Sequence, residues 1–277
     1  MANNMPNFDG EHLRLTKTGF NPKVDDVIEV RRILTELGIG NHTVPMEIAL
    51  QILSLASYYP RQSITTHLRA RYEANEFWGP GPEPSVAGLY LAMATTSVPD
   101  TIMKAHSITF QMKAADQGWA TFGGNGTYDN SHTWYEASIL RPRSGGSTIE
   151  ALTEDTDMEN SRTPEDARDY LRDHGWDMVE SNGTVVWKVH NNITACDEYR
   201  DYRVDWVAGI PTEIDDSGAM GDGQGFLELL KPNDVIALWA RAEQQAWVNK
   251  IREATIEIEY VTLSDNFTSS SLTLRLG

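Results

Sequence analysis

Apolar residues first recur at helical spacing near the start of the chain. Four of them lie three or four positions apart: Val27, Val30, Leu34 and Leu37. This spacing predicts a helix that ends near Gly38, and a second helix is predicted from Pro45, which suits a first helical turn. The apolar stripe of the second helix consists of Ile48, Ile52 and Leu55. The two helices predict a hairpin whose apolar faces are buried against another part of the protein.

Beyond residue 100 the pattern changes to the alternation that is typical of β-strands. In the segment 107–112, Ile108, Phe110 and Met112 fall on one side. Six further segments have strand character: 133–140, 184–189, 202–207, 234–242, 254–263 and 271–276. Short strands separated by turn signals, without alternating helices, predict a mainly β protein. The expected fold is an antiparallel β-sandwich of jelly-roll type.

An acidic stretch at about 145–180 interrupts the strands. Thr163 and Pro164 form a helix-start signal, so this stretch is predicted to be a helical insertion. Long insertions often serve as lids or partner sites, and a solvated surface excursion is the open alternative. The predicted organisation is a helical hairpin and linker at 1–100, packed on the core, and a β-sandwich domain at 101–277 that carries the insertion.

The overall charge limits the kinds of partner. The formal net charge is −17, from 23 basic and 40 acidic residues, which repels phosphate backbones and anionic membranes. No segment is apolar for the length of a membrane helix, so we expect neither a nucleic-acid nor a membrane partner. One cysteine, Cys196, and an N-terminus without an apolar signal segment predict a cytoplasmic protein. A homo-oligomer is compatible with these observations.

The residues that usually bind metals and cofactors lack the required spacing. None of the seven histidines stands in H-x-H or H-E-x-x-H spacing, and one cysteine cannot form a thiolate cluster. The glycine-rich stretch 214–225 matches neither a calcium loop nor a dinucleotide fingerprint, so we expect a flexible loop before a strand at Phe226. There is no G-x-S-x-G motif and no P-loop. We therefore predict no metal and no cofactor.

Aromatic residues are instead concentrated in and beside the predicted strands. From Ser131 onward, alternation puts His132, Trp134 and Glu136 on one face of a strand and Tyr135 on the other. Six aromatic residues are predicted to bind a hydrophobic small molecule: Trp119, Trp134, Tyr135, Trp187, Trp239 and Trp247. Four nearby polar residues are predicted to donate hydrogen bonds to a carbonyl or developing oxyanion: His132, Arg241, Gln244 and Gln245.

Each of these assignments has a structural alternative. For any single tryptophan, filling the core of the sandwich is the favoured interpretation. A salt bridge on the sheet surface accounts for Arg241 at least as well as a catalytic role.

Four segments together resemble a family of mostly uncharacterised fungal intracellular proteins: 37–60, 107–119, 126–139 and 223–260. The resemblance covers most of the chain apart from the acidic insertion. Two departures stand out, because His132 occupies a position where the family usually has an aromatic residue, and Gln244, Gln245 and Ala246 replace an aromatic-Pro-Gly turn. We interpret these departures as the marks of an acquired site.

In size and in its lack of standard catalytic motifs, the chain also resembles fungal pericyclases of secondary metabolism. These hetero-Diels–Alder enzymes join a tropolone quinone methide to a terpene. The resemblance implies a cofactor-free enzyme that catalyses a pericyclic cycloaddition on a hydrophobic terpenoid or polyketide-derived substrate. The alternative is a non-enzymatic module that binds carbohydrate or protein, since the segment 44–53 resembles the opening of an F-box.

Overall fold

The computed structural model describes residues 20–37, 42–75, 84–98, 103–143, 161–212, 214, 216 and 218–262. Its ten strands are β1 (Arg61–Thr66), β2 (Ala70–Glu73), β3 (Ser85–Ala94), β4 (Met103–Ala115), β5 (Thr133–Pro142), β6 (Trp176–Met178), β7 (Trp187–Asn191), β8 (Arg200–Val207), β9 (Val235–Glu243) and β10 (Val248–Thr262). The helices of these ranges are α1 (Val24–Arg32), which continues as a π-helix at Ile33–Leu37, α2 (Met46–Leu55), α3 (Arg168–Asp173) and α4 (Phe226–Leu229).

The strands form two antiparallel sheets of five. Sheet 1 has the order β1–β10–β4–β8, with β2 also paired to β10. Sheet 2 has the order β3–β9–β5–β6, with β7 also paired to β5. The prediction of a mainly β, antiparallel sandwich is confirmed.

The main core lies between the inner faces of the two sheets. Ile108, Phe110 and Met112 of β4 are fully buried there, as their alternation predicts. Ile256 of β10 and Tyr135 of β5 belong to the same cluster. Burying apolar surface stabilises the fold by about 25 cal/mol per Å². Because a shift of one residue would turn these side chains to the other face, their alternation is the main determinant of the strand register.

A second, smaller core lies on the outer face of sheet 2. The described part of the insertion covers this face, with Leu171 of α3 and Trp176 of β6 packed against Trp239 of β9. At the predicted helix start, the backbone N–H of Asp166 donates to Thr163 Oγ1 at 3.2 Å, and that of Thr163 to Asp166 Oδ2 at 3.1 Å. These bonds close a turn, and α3 itself begins later, at Arg168. The predicted start of the insertion near 145 lies outside the described residues. Residues 161–178 are therefore a packed layer of the structure and not a solvated excursion.

The helical hairpin is present, but its predicted apolar stripe is not the buried one. Ile48, Ile52 and Leu55 are exposed, Leu55 to 88%, whereas Ala49 and Leu53 of α2 are buried. The buried face is therefore shifted by one residue from the predicted stripe, so that Ala49 and Leu53 are buried in place of Ile48 and Ile52. The expectation that the stripe is covered is corrected for this helix.

Three strands before residue 100 escaped prediction. β3 is buried along nine of its ten residues, so its sequence is an apolar run without alternation. β1 is a polar edge strand, and β2 has only four residues. The predicted boundary near residue 100 thus falls between strands of the same two sheets. Phe226 begins the short helix α4 and not the expected strand, and the strand predicted at 271–276 lies outside the described residues.

Candidate functional site

Trp134, Glu136 and Arg241, called the Trp134 triad below, lie together on the outer face of sheet 2. Trp134 Nε1 donates to Glu136 Oε1 at 2.8 Å, and Arg241 Nη1 donates to Glu136 Oε2 at 2.6 Å. The Arg241 guanidinium also lies over the Trp134 ring, 4.8 Å from its centroid. Arg241 Nη2 reaches Ser85 Oγ at 3.5 Å. Arg241, one of the four donors that the sequence assigns to a substrate carbonyl, therefore has its partners within the protein.

A buried polar network lies behind the triad, between the two sheets. Asn249 Oδ1 accepts from the Tyr135 hydroxyl at 2.6 Å and from Asn192 Nδ2 at 3.0 Å. Asn249 Nδ2 donates to the backbone carbonyls of Trp134 and Arg241, each at 3.0 Å. Complete burial raises the pKa of Tyr135 well above its usual value, so its hydroxyl stays protonated as the donor. Tyr135 therefore ties β5 to β10 and does not line a cavity wall.

His132 and the β9–β10 turn lie at one end of the sandwich. The His132 ring packs edge-on against Trp247, with centroids 4.8 Å apart. Gln244 has a positive φ of 69° in the turn, and Gln245 is exposed. Trp119 is 48% exposed on the loop 116–132. These residues share an end of the molecule, but they do not join the Trp134 triad in one site.

The two remaining predicted residues are core residues. Trp239 is fully buried beneath the insertion, where its Nε1 donates to Ser138 Oγ at 2.8 Å. Trp187 packs in the main core, and its Nε1 donates to the carbonyl of Gln224 at 2.9 Å. These two tryptophans therefore fill the cores of the sandwich, as the structural alternative predicts. Trp239 is also the direct cross-strand partner of Glu136, so it adjoins the Trp134 triad on the outer face of sheet 2. The other predicted residues occupy separate places.

A cleft of about 460 Å³ lies elsewhere, where β8 ends. We call it the Trp206 cleft. It is formed by the end of β8 with the following turn, by the glycine loop 221–225, and by α4. The residues used below are Trp206, Ile210, Thr212, Asp222, Gly223, Gln224, Leu227 and Glu228.

Four aromatic rings build the base of this region. Phe226 packs against Trp187 and Trp206 with centroid separations of 5.1 and 5.2 Å, and Phe110 lies 5.1 Å from Trp206. Two of these contacts are edge-to-face and the one between Phe226 and Trp206 is tilted, and such aromatic pairs add about 0.5–1.5 kcal/mol each beyond the burial of apolar area. The cluster anchors α4 on the core and thereby positions Leu227 at the border of the cleft.

The glycine loop closes against the Trp206 ring. Gly223 has a φ of +64°, and a Cβ there would lie 2.1 Å from the indole, so only glycine allows this approach. Trp206 Nε1 donates to the carbonyl of Gly221 at 3.0 Å, and Thr212 Oγ1 donates to that of Asp222 at 2.8 Å. Within the stretch expected to be a flexible loop, residues 221–225 are therefore a wall with a defined conformation.

The same loop is held on β7 from its other side. The backbone N–H of Asn191 donates to the carbonyl of Ala219 at 2.6 Å, and a β-bridge joins His190 to Met220. The His190 ring lies between Tyr202, at 4.7 Å, and Tyr128, at 5.4 Å. Burial lowers the pKa of His190 below its usual value. A neutral imidazole is thus part of the support of the cleft wall.

The sequence contains two signals for the cleft that the predicted site leaves out. Trp206 is one of the tryptophans in predicted strands, but it is not among the predicted site residues. The glycines of 221–225 match neither a nucleotide nor a calcium motif. In the structure they allow the backbone of the loop to pack against the Trp206 ring. A glycine repeat next to an aromatic-rich strand is the signal for a close backbone approach to a ring.

The described residues show neither a cluster of metal ligands nor a membrane-spanning helix. In the part of the chain that the structure describes, no three histidine, cysteine or acidic side chains are grouped so that they could hold a metal ion. No helix of that part is long and apolar enough to cross a membrane.

Comparison with known proteins gives only weak similarities. No protein family and no curated protein matches the chain. A structure of tomato aspermy virus is 13% identical, with a TM-score of 0.24 over 77% of this chain and 82% of that chain. The decameric BFDV capsid protein is 6% identical, with a TM-score of 0.25 over 74% of this chain and 99% of that chain. These similarities do not assign the chain to a family or to a function.

Proposed function

We propose that this protein binds a hydrophobic small molecule, without a cofactor, in the Trp206 cleft. The observation that carries the proposal is the cleft itself, about 460 Å³ bordered by aliphatic side chains and the glycine loop, with the buried Trp206 ring beneath them. This volume is typical of ligand pockets, which are mostly apolar with a few polar groups. Hydrogen bonds from Trp206 and Thr212 already hold the wall, so a ligand has little to order when it enters.

The reaction that we propose for this site is the pericyclic cycloaddition implied by the resemblance. A heterodiene and an alkene combine so that three π-bonds become two σ-bonds and one π-bond, with no leaving group and no redox partner. The cleft would hold both reactants in one orientation, which removes much of the entropic barrier of a bimolecular step. The side-chain amide of Gln224, at the border of the cleft, would donate to the carbonyl of the heterodiene.

Binding is tested by titrating the protein with terpenoid and tropolone-like molecules and following tryptophan fluorescence. Ile210 borders the cleft and is 62% exposed, so Ile210→Gln should weaken binding without unfolding the protein. Ile64 on β1 is also exposed and lies away from the cleft, so Ile64→Gln is the matched control. Equal binding by both variants and the wild type would exclude the Trp206 cleft as the ligand site.

The reaction is tested separately. A tropolone-derived quinone methide and an electron-rich alkene are incubated with and without the protein, and the yield and stereochemistry of the adduct are measured. A higher yield of one stereoisomer, reduced in Ile210→Gln, supports the cycloaddition. If binding is saturable but the product composition is the same with and without the protein, the protein binds the molecules and does not catalyse the cycloaddition.

A second candidate function, carbohydrate binding, is favoured by two exposed aromatic side chains on the loop 116–132. Trp119 is 48% exposed and Phe122 is 78% exposed. The loop is well held, because the buried carboxylate of Asp116 accepts from the backbone N–H groups of Gly118 and Ala195 at 2.7 and 2.8 Å. Aromatic rings presented on an ordered loop can stack on sugar rings, and the exposed Asp129 is a nearby acceptor for hydroxyl groups.

The carbohydrate candidate is tested with a panel of simple and branched glycans. Saturable fluorescence quenching that disappears in Trp119→Ala, with Ile210→Gln unchanged, would favour carbohydrate binding. If no glycan changes the fluorescence while an apolar ligand gives saturable quenching, carbohydrate binding is excluded.

A further inference from the structure

The border of the Trp206 cleft carries charge of one sign. Asp222 on the glycine loop and Glu228 in α4 both border the cleft, and both are exposed. The other polar side chains at this border, Thr212 and Gln224, are neutral. No lysine, arginine or histidine is among the described residues that border the cleft. Two carboxylates beside an apolar space make its potential negative, in a chain whose net charge is already −17.

Two cations beside the walls of the cleft, Arg203 and Lys188, are engaged by other groups. Arg203 borders the depression on the other side of the turn after β8, and its Nε and Nη2 donate to Asp205 at 2.7 and 2.8 Å. Lys188 Nζ, on the far side of the glycine loop, donates to the carbonyl of Gly218 at 2.8 Å. An anionic ligand in the cleft would therefore meet two carboxylates without a compensating cation.

We propose that the ligand of the Trp206 cleft is a hydrophobic ammonium ion, that is, an apolar body carrying a protonated amine. This inference rests on the proposed function, because it names the class of molecule that the same cleft binds. The apolar body covers Ile210 and Leu227, and the ammonium group lies at the border between Asp222 and Glu228. At contact distance near a protein surface, an ammonium group and a carboxylate attract each other strongly enough for the preference to be measurable.

The test uses three molecules with one apolar body: 1-adamantylamine, 1-adamantanol and adamantane-1-carboxylate. Their dissociation constants are measured by calorimetric titration of the full-length protein at pH 7. We expect the amine to bind at least about fivefold more tightly than the alcohol, and the carboxylate at least about fivefold more weakly. If the carboxylate binds as tightly as the amine, the charge preference is wrong. If none of the three binds although a terpenoid or tropolone-like molecule does, the ammonium preference is wrong and the proposed function stands. If neither set of molecules binds, both fail.

The double variant Asp222→Asn/Glu228→Gln identifies the source of the preference. Asp222 Oδ1 accepts from the backbone N–H of Gln224 at 3.0 Å, and the amide introduced by Asp222→Asn keeps such an oxygen, so the loop should retain its conformation. The three dissociation constants should then converge to within about twofold. The matched control Glu165→Gln/Asp173→Asn removes the same charge from two exposed residues of the insertion and should preserve the order of the three ligands. Discrimination that survives the first double variant, or vanishes in the control, would overturn the assignment to the cleft.

Discussion

The Trp134 triad and the Trp206 cleft contain similar side chains in opposite arrangements. In the triad, Glu136 accepts from both the Trp134 indole and the Arg241 guanidinium, so both of its carboxylate oxygens are used within the protein. In the cleft, the Trp206 indole donates to a backbone carbonyl, and Asp222 remains exposed at the border. A tryptophan beside a carboxylate therefore stabilises the sheet in one region and leaves space for a ligand in the other.

The two regions are also held in place by different interactions. The triad sits on the outer face of neighbouring strands, where cross-strand pairing brings side chains into contact. The cleft sits between a turn, a loop and a short helix, where glycine conformations and backbone carbonyls hold the walls. Side chains pair most completely on strands, so open polar groups are more readily found where loops meet.

The largest expected effect comes from breaking the triad. Arg241 and Glu136 are 6% and 13% exposed, so Glu136→Gln leaves a buried guanidinium without its counter-charge. We expect the free energy of unfolding in urea to fall by about 3–5 kcal/mol. The control Glu73→Gln breaks an exposed pair with Arg71 and should change it by less than about 1 kcal/mol. In contrast, binding of the cleft ligand by the folded variant should be unchanged, and a weaker affinity would mean that the triad belongs to the site.

The next effect is on the cleft wall. Gly223→Ala introduces a Cβ that would lie 2.1 Å from the Trp206 ring, at a φ of +64°. We expect a loss of about 2–3 kcal/mol of stability, from backbone strain and overpacking together, and a marked loss of ligand affinity. Gly183→Ala is the matched control, because Gly183 has a φ of +85° but nothing within 4 Å of the added carbon. It isolates the backbone strain, about 1 kcal/mol, and should leave affinity unchanged. Equal behaviour of the two variants would contradict the close approach to Trp206.

The sandwich could be predicted from the sequence because its strands have one apolar and one mixed face. Alternation in 107–112 correctly grouped Phe110 with Ile108 and Met112 on the buried face. Alternation in 133–140 separated Tyr135 from Trp134, but it did not show that Tyr135 is a core residue and not part of a ligand site. It could not reveal β3, because both faces of that strand are buried and the pattern of alternation is lost. For α2 the spacing of apolar residues correctly predicted a helix, but the predicted buried face was wrong. Which face is buried depends on the neighbouring element that the helix packs against and not on the spacing alone.

The candidate site was harder to predict for a physical reason. Arg241 and Glu136 are 105 positions apart, and only the register of β5 against β9 makes them partners. The cleft depends on a positive φ at Gly223 and on the seating of Phe226 in the core, which composition does not express. The kinds of side chain available can therefore be read from the sequence, and the fold decides which of them are already paired.

A smaller effect, visible through pH, tests the support of the glycine loop. Burial among Tyr128, Tyr202 and the loop lowers the pKa of His190 in the folded protein. The hydrogen bond to the Asn191 carbonyl opposes this shift, Lys188 adds to it, and Asp216 opposes it. The unfolded chain therefore binds a proton below about pH 6.5 that the folded chain does not, and stability falls as the pH is lowered from 7 to 5.5. This one group contributes at most about 1.4 kcal/mol per pH unit.

The measurement is urea unfolding at pH 7.0 and pH 5.5 for the wild type, His190→Gln and the exposed control His42→Gln. The difference in stability between the two pH values should shrink in His190→Gln and stay at the wild-type value in His42→Gln. An unchanged difference in His190→Gln would mean that His190 is protonated in the folded protein at acidic pH and that the loop tolerates its charge.

The smallest expected effect separates the two regions most directly. His132→Ala removes an edge-on contact with Trp247 at the end of the sandwich, with ring centroids 4.8 Å apart, so stability should fall by about 1 kcal/mol. Affinity for the cleft ligand should not change, because neither ring borders the Trp206 cleft. Ile210→Gln, measured in the same titration, should weaken binding with little change in stability. The reverse result, in which His132→Ala weakens binding and Ile210→Gln does not, would return the site to His132, because a residue that only packs against Trp247 affects unfolding and not the ligand.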